Sequence, residues 1–442
     1  MNIQLSEHFT YKKLFRFTLP SVIMLVFTSV YGVVDGFFVS NYTGKTAFTA
    51  VNFIMPVLMI LGCFGFIFGT GGGALIAKTL GEGRKEKANN LFSMIIYCSI
   101  ITGVVLAVLG FILIRPLAKL LGADGELLEN CVTYGRIILI SIPASNLQYE
   151  FQCLFATAEK AKLGLYVTIA AGVTNIILDA LFVAILQWGL IGAALATSLS
   201  QCVGGIIPII YFSRPNSSKL KLGRFYFNGR TLLTVCGNGS SELMTNISMS
   251  IVNMLYNTQL IKYAGEDGVA AYGVMMYVSM IFNAIFIGYS VGTSPAVSYH
   301  FGAGNTDELK NLRRKSYTII SFFAVIMFIL AEILAMPLSK IFVGYDDGLL
   351  ALTLHGFRIF SFSFIFAGFV IFSSAFFTAL NNGLVSALIS FMRAFIFQIA
   401  SVLILPIFWK INGIWISIIV AEFLAVVVSV IFLLDNRKKY KY

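Results

Sequence analysis

Charged side chains are scarce in this chain. Only 12% of its 442 residues are Asp, Glu, Lys or Arg, whereas 58% are hydrophobic. A water-soluble domain carries about 25% charged residues, because its surface has to be hydrated. The composition therefore excludes a soluble globule of this size and predicts that lipid covers most of the protein.

Residues that build metal, disulfide and nucleotide sites are also few. The three histidines are scattered along the chain, and the six cysteines lie mostly within apolar runs without paired spacing. Such cysteines are typical packing residues. No nucleotide-binding motif is present, which disfavours an ATP-driven pump. We therefore predict no metal site, no cofactor and no enzymatic activity.

The basic excess of the chain has a specific distribution. Lys and Arg number 31 against 20 Asp and Glu, and they cluster in short loops between apolar runs. This pattern is typical of membrane topology and argues against nucleic-acid binding. The N-terminal residues show no short apolar region with a small-residue cleavage site, so we expect the first apolar run to be a retained helix.

Apolar runs long enough to cross a bilayer, about 20 residues each, occur twelve times. They lie near 17–39, 49–77, 91–114, 128–155, 163–187, 190–212, 232–262, 270–299, 316–336, 350–379, 384–408 and 414–434. The sequence therefore predicts an all-α membrane protein with twelve transmembrane helices.

The loops differ in charge on the two sides of these spans. With a count of twelve, the Lys- and Arg-rich segments all fall on one side, together with both chain ends. The opposite loops are acidic or nearly neutral. The positive-inside rule then predicts a multi-pass protein of the cell (inner) membrane with both termini in the cytoplasm.

The two halves of the chain repeat at an offset of 221 residues. Matched pairs include Gly81 with Gly302, Gly83 with Gly304, and Thr157 with Thr378. Because six spans is an even number, the repeats are parallel and related by a pseudo-twofold axis along the membrane normal. We predict a first lobe at 1–212, a cytoplasmic connector at 213–229 and a second lobe at 230–442, with a cavity between the lobes.

Four stretches carry a recognisable pattern of residues. They are LPSVIMLVFTSVYGVVDGFFVSNYTG, GTGGGALIAKTLGEGRKEKA, NIILDALFVAILQWGLIGAALATSLS and VGTSPAVSYHFGAGN. Together they resemble the multidrug and toxic compound extrusion (MATE) family, and the resemblance covers essentially the whole chain. It implies a cation-coupled antiporter that exports cationic, often aromatic, compounds.

Polar residues of the first lobe fall at one depth in the membrane. Asp35 lies near the outer end of span 1, and Asp179 lies in the outer half of span 5 with Asn175 one turn before it on the same face. Tyr134 on span 4 and Thr197 on span 6 reach a similar depth. An ionisable group in a bilayer costs about 2.5–3.5 kcal/mol on insertion scales, so this group predicts a buried proton or cation site. The resemblance implies the same set as a coupling network.

Each of these residues also has a structural interpretation. An intramembrane Asp can simply hydrogen-bond neighbouring helices, and Asn, Tyr and Thr can serve helix packing. Pro20 matches the proline at which the family's first helix bends, which implies a hinge. It can equally be an ordinary kink, which membrane helices tolerate.

Glu242 is the candidate coupling residue of the second lobe. It lies about ten residues into span 7, close to the midplane, and matches a glutamate in the second-lobe cation site of some family members. Span 10 contains no Asp or Glu, although sodium-coupled relatives place an Asp there. This departure favours coupling by protons over coupling by sodium. The roles of Glu150, Glu422 and Arg393 stay open.

The expected function is a monomeric antiporter, coupled to protons or to sodium, that exports cationic amphipathic drugs or toxic metabolites by alternating access. Such xenobiotic export would contribute to antibiotic resistance. One alternative is a lipid or lipid-linked oligosaccharide flippase of the same broad fold, which should carry a cationic cavity for pyrophosphate. Another is a membrane receptor or channel without coupled transport.

Overall fold

The computed structural model of the protein describes residues 3–442, with the backbone alone at residue 45. Within this range the regular structure is helical and includes no strand. This follows from the composition, since a helix satisfies its own backbone hydrogen bonds in lipid. The helices are α1 (Tyr11–Tyr42), α2 (Lys45–Gly81), α3 (Lys85–Leu120), α4 (Gly125–Thr157), α5 (Ala161–Asp179), α6 (Gly189–Ser213), α7 (Gly229–Gly302), α8 (Thr306–Val343), α9 (Asp347–Ser361), α10 (Ser363–Ala379), α11 (Gly383–Phe391) and α12 (Gln398–Tyr440), with π-helical turns at Ala180–Ile185 and Met392–Phe397.

Two of these helices contain a break at which the backbone leaves the helical region. Gly265 in α7 has a φ of +64°, and Lys410 in α12 has a φ of +49°. The breaks divide α7 into α7a (229–264) and α7b (266–302), and α12 into α12a (398–409) and α12b (411–440). Each part is a separate crossing of the bundle.

Within residues 3–442, nine helices are long and apolar enough to cross a membrane, and the bent pair of α9 and α10 makes ten. Dividing α7 and α12 at their breaks raises the number of segments to twelve. α9 and α10 meet at a bend of 45° and together form one span. α5 runs on through the first π-helical turn, and α11 runs through the second into α12a. The predicted all-α membrane fold is confirmed, and the predicted count of twelve agrees with it. The run 350–379 did not reveal the bend at Phe362, because it contains no proline or glycine at that position.

Polar residues between the apolar runs start the helices. Thr10, Asn228, Asn305 and Asp346 are N-caps whose side chains accept a hydrogen bond from a first-turn backbone N–H of α1, α7, α8 and α9. Such caps satisfy donors that have no partner inside the helix. The caps therefore fix where these four helices begin.

The internal repeat is visible in the backbone at equivalent turns. Residues with positive φ form pairs 221 apart early in each half: Gly44 with Gly265, and Gly83 with Gly304. The next pair, Glu159 with Asn381, is 222 apart, because the second half has gained one residue. The predicted gapless offset is therefore correct only for the first spans, and pairing Thr157 with Thr378 is wrong by one residue.

The two lobes, α1–α6 and α7–α12, pack most closely at one end of the bundle. We call it the basic end, since the Lys- and Arg-rich turns and both chain termini meet there. An added Cβ at Gly81 of α2 would overlap the carbonyl oxygen of Tyr299 in α7b. One at Gly302 of α7b would overlap the carbonyl of Lys78 in α2. Glycine at these two equivalent positions lets the helix backbones touch.

The N-terminal segment joins both lobes across the basic end. The backbone N–H of Leu5 donates to Glu159, in the turn after α4, at 2.8 Å. The N–H of Phe9 donates to Glu308, at the start of α8, at 2.9 Å. Leu5 and Phe9 are fully buried. In this conformation the basic end is therefore closed by helix packing and by the chain terminus.

Candidate functional site

Four helices of the first lobe bring polar side chains to one place. The hydroxyl of Thr197 on α6 donates to the carboxylate of Asp35 on α1 at 3.3 Å. Asp35 also interacts electrostatically with Asp179 and Asn175 at the end of α5. Tyr134 on α4 faces both carboxyl groups. The structure therefore gathers into one cluster the first-lobe residues that the sequence singled out, and we call them the carboxyl cluster.

Burial within the carboxyl cluster is deep and its hydrogen bonding is incomplete. Asp179 is fully buried, and Asn175 and Tyr134 are 1% exposed. The carboxyl group of Asp179 and the amide of Asn175 face Asp35 and have no other hydrogen-bond partner within residues 3–442. Buried polar groups are normally paired, because leaving one unpaired costs free energy. The cluster therefore gathers carboxyl oxygens that a proton or a small cation can bridge.

A polar row extends the cluster along α1 towards the basic end. Tyr31 lies one turn before Asp35, and its hydroxyl accepts from the amide of Gln148 on α4 at 3.4 Å. Thr28 accepts from Gln152, also at 3.4 Å. The sequence analysis missed this row, although positions 28, 31 and 35 have the spacing of one helical face.

Glu242 lies away from the carboxyl cluster, on a cavity between the lobes. The cavity is lined by α2, α4, α7a, α7b, α10, α11 and the second π-helical turn, and encloses about 820 Å³ including the part open to solvent. Glu242 and Arg393 are its charged lining residues within the described chain. Glu242 also interacts electrostatically with Cys63 and Cys153 of the first lobe. It therefore faces the opposite lobe across the cavity.

Arg393 is neutralised by an ion pair with Glu422. Its Nε donates to both carboxylate oxygens at 2.9 Å, and its Nη2 lies 2.8 Å from one of them. The two side chains are 19% and 7% exposed. Because Arg393 is paired in this way, Glu242 is the charged lining residue of the cavity that has no ion-pair partner within the described residues.

Pro20 lies inside α1 where this helix crosses the other lobe. A Cβ at Gly288 of α7b would lie 2.6 Å from the Cα of Val22, and one at Gly292 would lie 3.1 Å from that of Thr18. α1 therefore contacts α7b through its backbone around Pro20. Proline has no N–H, so one hydrogen bond of α1 is missing at this contact.

The arrangement suits reversible binding of cations more than bond chemistry. Within residues 3–442, no group of three His, Cys, Asp or Glu side chains is placed to hold a metal ion. The carboxyl cluster offers two neighbouring carboxyl groups, and the cavity offers the carboxyl group of Glu242. This conformation therefore has two separate candidate places for a cation, one inside a lobe and one between the lobes.

Comparison with known proteins agrees with this organisation. The MatE family model matches the chain twice, at residues 20–181 and 243–404, once in each lobe. The chain belongs to the MatE family of transporters. The predicted resemblance is confirmed, and so is the prediction that the protein is a transporter and not an enzyme.

Several relatives and solved structures are similar to this MATE transporter. The Multidrug export protein MepA of Staphylococcus saprophyticus is 24% identical over 97% of this chain and 94% of its own. The MepA of Staphylococcus haemolyticus is 26% identical over 73% and 71%. A solved outward-facing multidrug resistance MATE family transporter has a TM-score of 0.94 at 22% identity, covering 100% and 98% of the two chains. A MOP superfamily transporter from Pyrococcus furiosus has a TM-score of 0.92 at 22% identity, covering 98% of each.

Proposed function

We propose that this MATE transporter is an antiporter that exports cationic amphipathic compounds in exchange for protons. Multidrug export is the activity named for its MepA relatives, and the export half of the proposal rests on this similarity. The other half, coupling to protons, rests on the carboxyl cluster of this chain.

The single observation that carries the proposal is a pair of carboxyl groups, the half-buried Asp35 and the fully buried Asp179, in direct electrostatic contact. Two carboxylates at close range repel each other, so one proton or one cation between them relieves the repulsion. Thr197, Asn175 and Tyr134 supply the surrounding polar groups. Such a cluster holds a proton in one conformation and releases it in another.

The cavity supplies the substrate site in this proposal. The negative charge of Glu242 attracts an organic cation, and the apolar lining of the cavity accommodates its flat rings. Protonation of Asp35 and Asp179 rearranges their hydrogen bonds and bends α1 at Pro20, where α1 contacts α7b. This bend is the step by which proton entry changes the contact between the lobes and releases the substrate.

The proposed orientation places the basic end in the cytoplasm of the cell, following the positive-inside rule. Closure of that end by the Gly81–Tyr299 contact then corresponds to a cavity that opens outward. The lobes are assigned to 1–212 and 230–442, joined by a cytoplasmic connector at 213–229. Each chain contains a complete set of candidate sites, which supports a monomer in the cell (inner) membrane.

Sodium coupling and lipid flipping are weaker candidates. The oxygen atoms of the carboxyl cluster are also sodium ligands, but the region of α10 that lines the cavity adds no carboxylate to Glu242. A flippase for pyrophosphate-linked lipids needs free positive charge in the cavity. Arg393 is the basic lining residue there, and Glu422 already pairs with it.

The proposal is tested by uptake of ethidium, a flat aromatic cation, into proteoliposomes with an acidic lumen. Protons leaving the lumen should drive accumulation by the wild-type protein. Asp35→Asn and Asp179→Asn should each reduce uptake to that of protein-free liposomes, because neither amide binds the coupling proton. The matched control is Asp124→Asn, since Asp124 is an exposed carboxylate of the same lobe without a side-chain cap bond. Full uptake by both cluster variants would refute the assignment.

A further inference from the structure

A second group of unpaired polar atoms lies between α2 and α4, outside the carboxyl cluster. Asn146, Glu150 and Thr157 follow one face of α4 at helical spacing. Their exposures are 0%, 0% and 1%, and their side-chain polar atoms have no hydrogen-bond partner within residues 3–442. α2 presents Gly65 and Gly69 to this face, so its backbone lies directly against Asn146 and Glu150. The backbones of α2 and α4 therefore touch beside Asn146 and Glu150, whereas Thr157 also lines the central cavity.

Glu150 is the ionisable member of this group. Two other buried carboxylates have clear partners: Glu422 binds Arg393, and Glu308 accepts from the backbone of Phe9. Neither oxygen of Glu150 has a partner of this kind within residues 3–442. Its polar neighbour is the neutral hydroxyl of Ser99 on α3, which interacts with it electrostatically. An ionised carboxylate without a partner in an apolar interior is far more costly than a neutral acid.

The surroundings of Glu150 connect it to the central cavity. Cys153, one turn further along α4, lines the cavity and interacts electrostatically with both Glu150 and Glu242. The other titratable group beside Glu150 is Cys98 on α3, next to Cys236 of α7a. α2 contributes glycine to this contact. No basic side chain of the described residues pairs with Glu150, so its charge is not compensated by the protein.

We propose that Glu150 is a proton-binding site behind the cavity, protonated when the cavity is empty and able to give up its proton when a cation binds near Glu242. A cation in the cavity stabilises the carboxylate form through space, and the proton in turn weakens cation binding, since linkage acts equally in both directions. The proton site stands on the burial of Glu150 alone, whereas its link to cation binding rests on the proposed function.

The direct test is infrared difference spectroscopy of the whole protein in lipid across a pH titration. The carboxylic-acid band of the wild-type protein should lose one component in Glu150→Gln, whereas the components of Asp35 and Asp179 should remain. The control Glu126→Gln removes an exposed carboxyl from the same helix and should leave the band unchanged. If Glu150→Gln fails to fold, Glu150→Asp should shift the band. An unchanged spectrum in the Glu150 variant would overturn the proton site.

The link to the cavity is tested by equilibrium binding of ethidium as a function of pH. If cation binding displaces one proton, Kd changes about tenfold per pH unit, which is a slope of one in log Kd against pH. Glu150→Gln should lower this slope by up to one. If Glu150→Gln changes the ethidium affinity but not the slope, Glu150 has a structural role and the link between its proton and cation binding is contradicted. Ethidium binding that depends on sodium concentration would also contradict the link. If the wild-type slope is zero, the proposed proton coupling fails, while the infrared band still decides the proton site.

Discussion

Buried carboxyl groups in this protein differ mainly in what they contact. Glu422 is fully paired with Arg393, whereas Asp35 accepts a hydrogen bond from Thr197 and lies in electrostatic contact with the carboxyl group of Asp179. A basic partner stabilises the charged form of a carboxyl group, whereas a neighbouring carboxyl group disfavours it. The contacts therefore separate a structural carboxylate from those that we assign to coupling.

The ion pair of Arg393 and Glu422 should stabilise the second lobe. Breaking a buried pair by removing one partner costs about 3–5 kcal/mol, because the other charge is left unpaired. Arg393→Met should therefore lower the Tm in detergent strongly. Arg393→Met combined with Glu422→Leu should recover much of the loss, since no buried charge remains.

An exposed ion pair provides the comparison for this experiment. Arg115 and Glu129 form a pair whose side chains are 45% and 59% exposed. Exposed pairs contribute less than about 1 kcal/mol, so Arg115→Met should hardly change the Tm. If Arg393→Met and the double variant lower the Tm equally, the ion pair is not what stabilises the second lobe.

Among the helices, α1 connects the carboxyl cluster to the contact between the lobes. Asp35 lies near one end of α1, the polar row continues through Tyr31, and Pro20 lies where α1 touches α7b. A single continuous helix can therefore transmit a change at Asp35 to the opposite lobe. This arrangement is the physical basis for treating Pro20 as a hinge.

Pro20→Ala should slow transport without preventing substrate binding. Alanine restores the missing N–H and favours the straight helix by about 3 kcal/mol, so bending becomes harder. We expect ethidium uptake to fall at least about tenfold, with the Kd for ethidium nearly unchanged. The measurements are initial rates in proteoliposomes and equilibrium binding to the purified protein.

Pro116 in α3 is the matched control, because it is an exposed proline inside a helix of the same lobe. Pro116→Ala should leave the transport rate at the wild-type value. A wild-type rate in Pro20→Ala would show that α1 does not need its proline, and that Pro20 is an ordinary kink.

The helices themselves were predictable because lipid imposes a length and a composition on every span. The bend between α9 and α10 was not, since no proline or glycine marks Phe362. The change of offset along the second half was also missed, because glycine matches alone cannot reveal a slip of one residue. These features depend on tertiary packing, which leaves no local signal in the sequence.

The candidate site was predictable in part, for the same reason. Polar residues are rare inside membrane spans, so Asp35, Asp179 and Tyr134 were easy to single out. Counting residues from the ends of their spans then predicted that they lie at a similar depth. The isolation of Glu150 and the pairing of Arg393 with Glu422 could not be predicted, because both depend on which helices become neighbours. Burial and contact, more than residue type, distinguish these groups.

Viewed as a whole molecule, the two lobes are alike in backbone but differ in chemistry. Tyr256 stands in the second lobe where Asp35 stands in the first. Its hydroxyl donates to Gln398 at 2.6 Å and shares a hydrogen bond of 2.7 Å with Ser417. This neutral network is satisfied within the protein, so it has no free position for an ion. The asymmetry supports coupling through the first lobe.

The measurement that tests this account most directly is proton release from acid-loaded proteoliposomes, followed with a trapped pH dye while ethidium is added outside. The account predicts that ethidium accelerates the rise in lumenal pH in sodium-free buffer, and that the double variant Asp35→Asn with Asp179→Asn abolishes this acceleration. Ethidium uptake by the wild-type protein without any proton movement, or only when a sodium gradient is imposed, would contradict it.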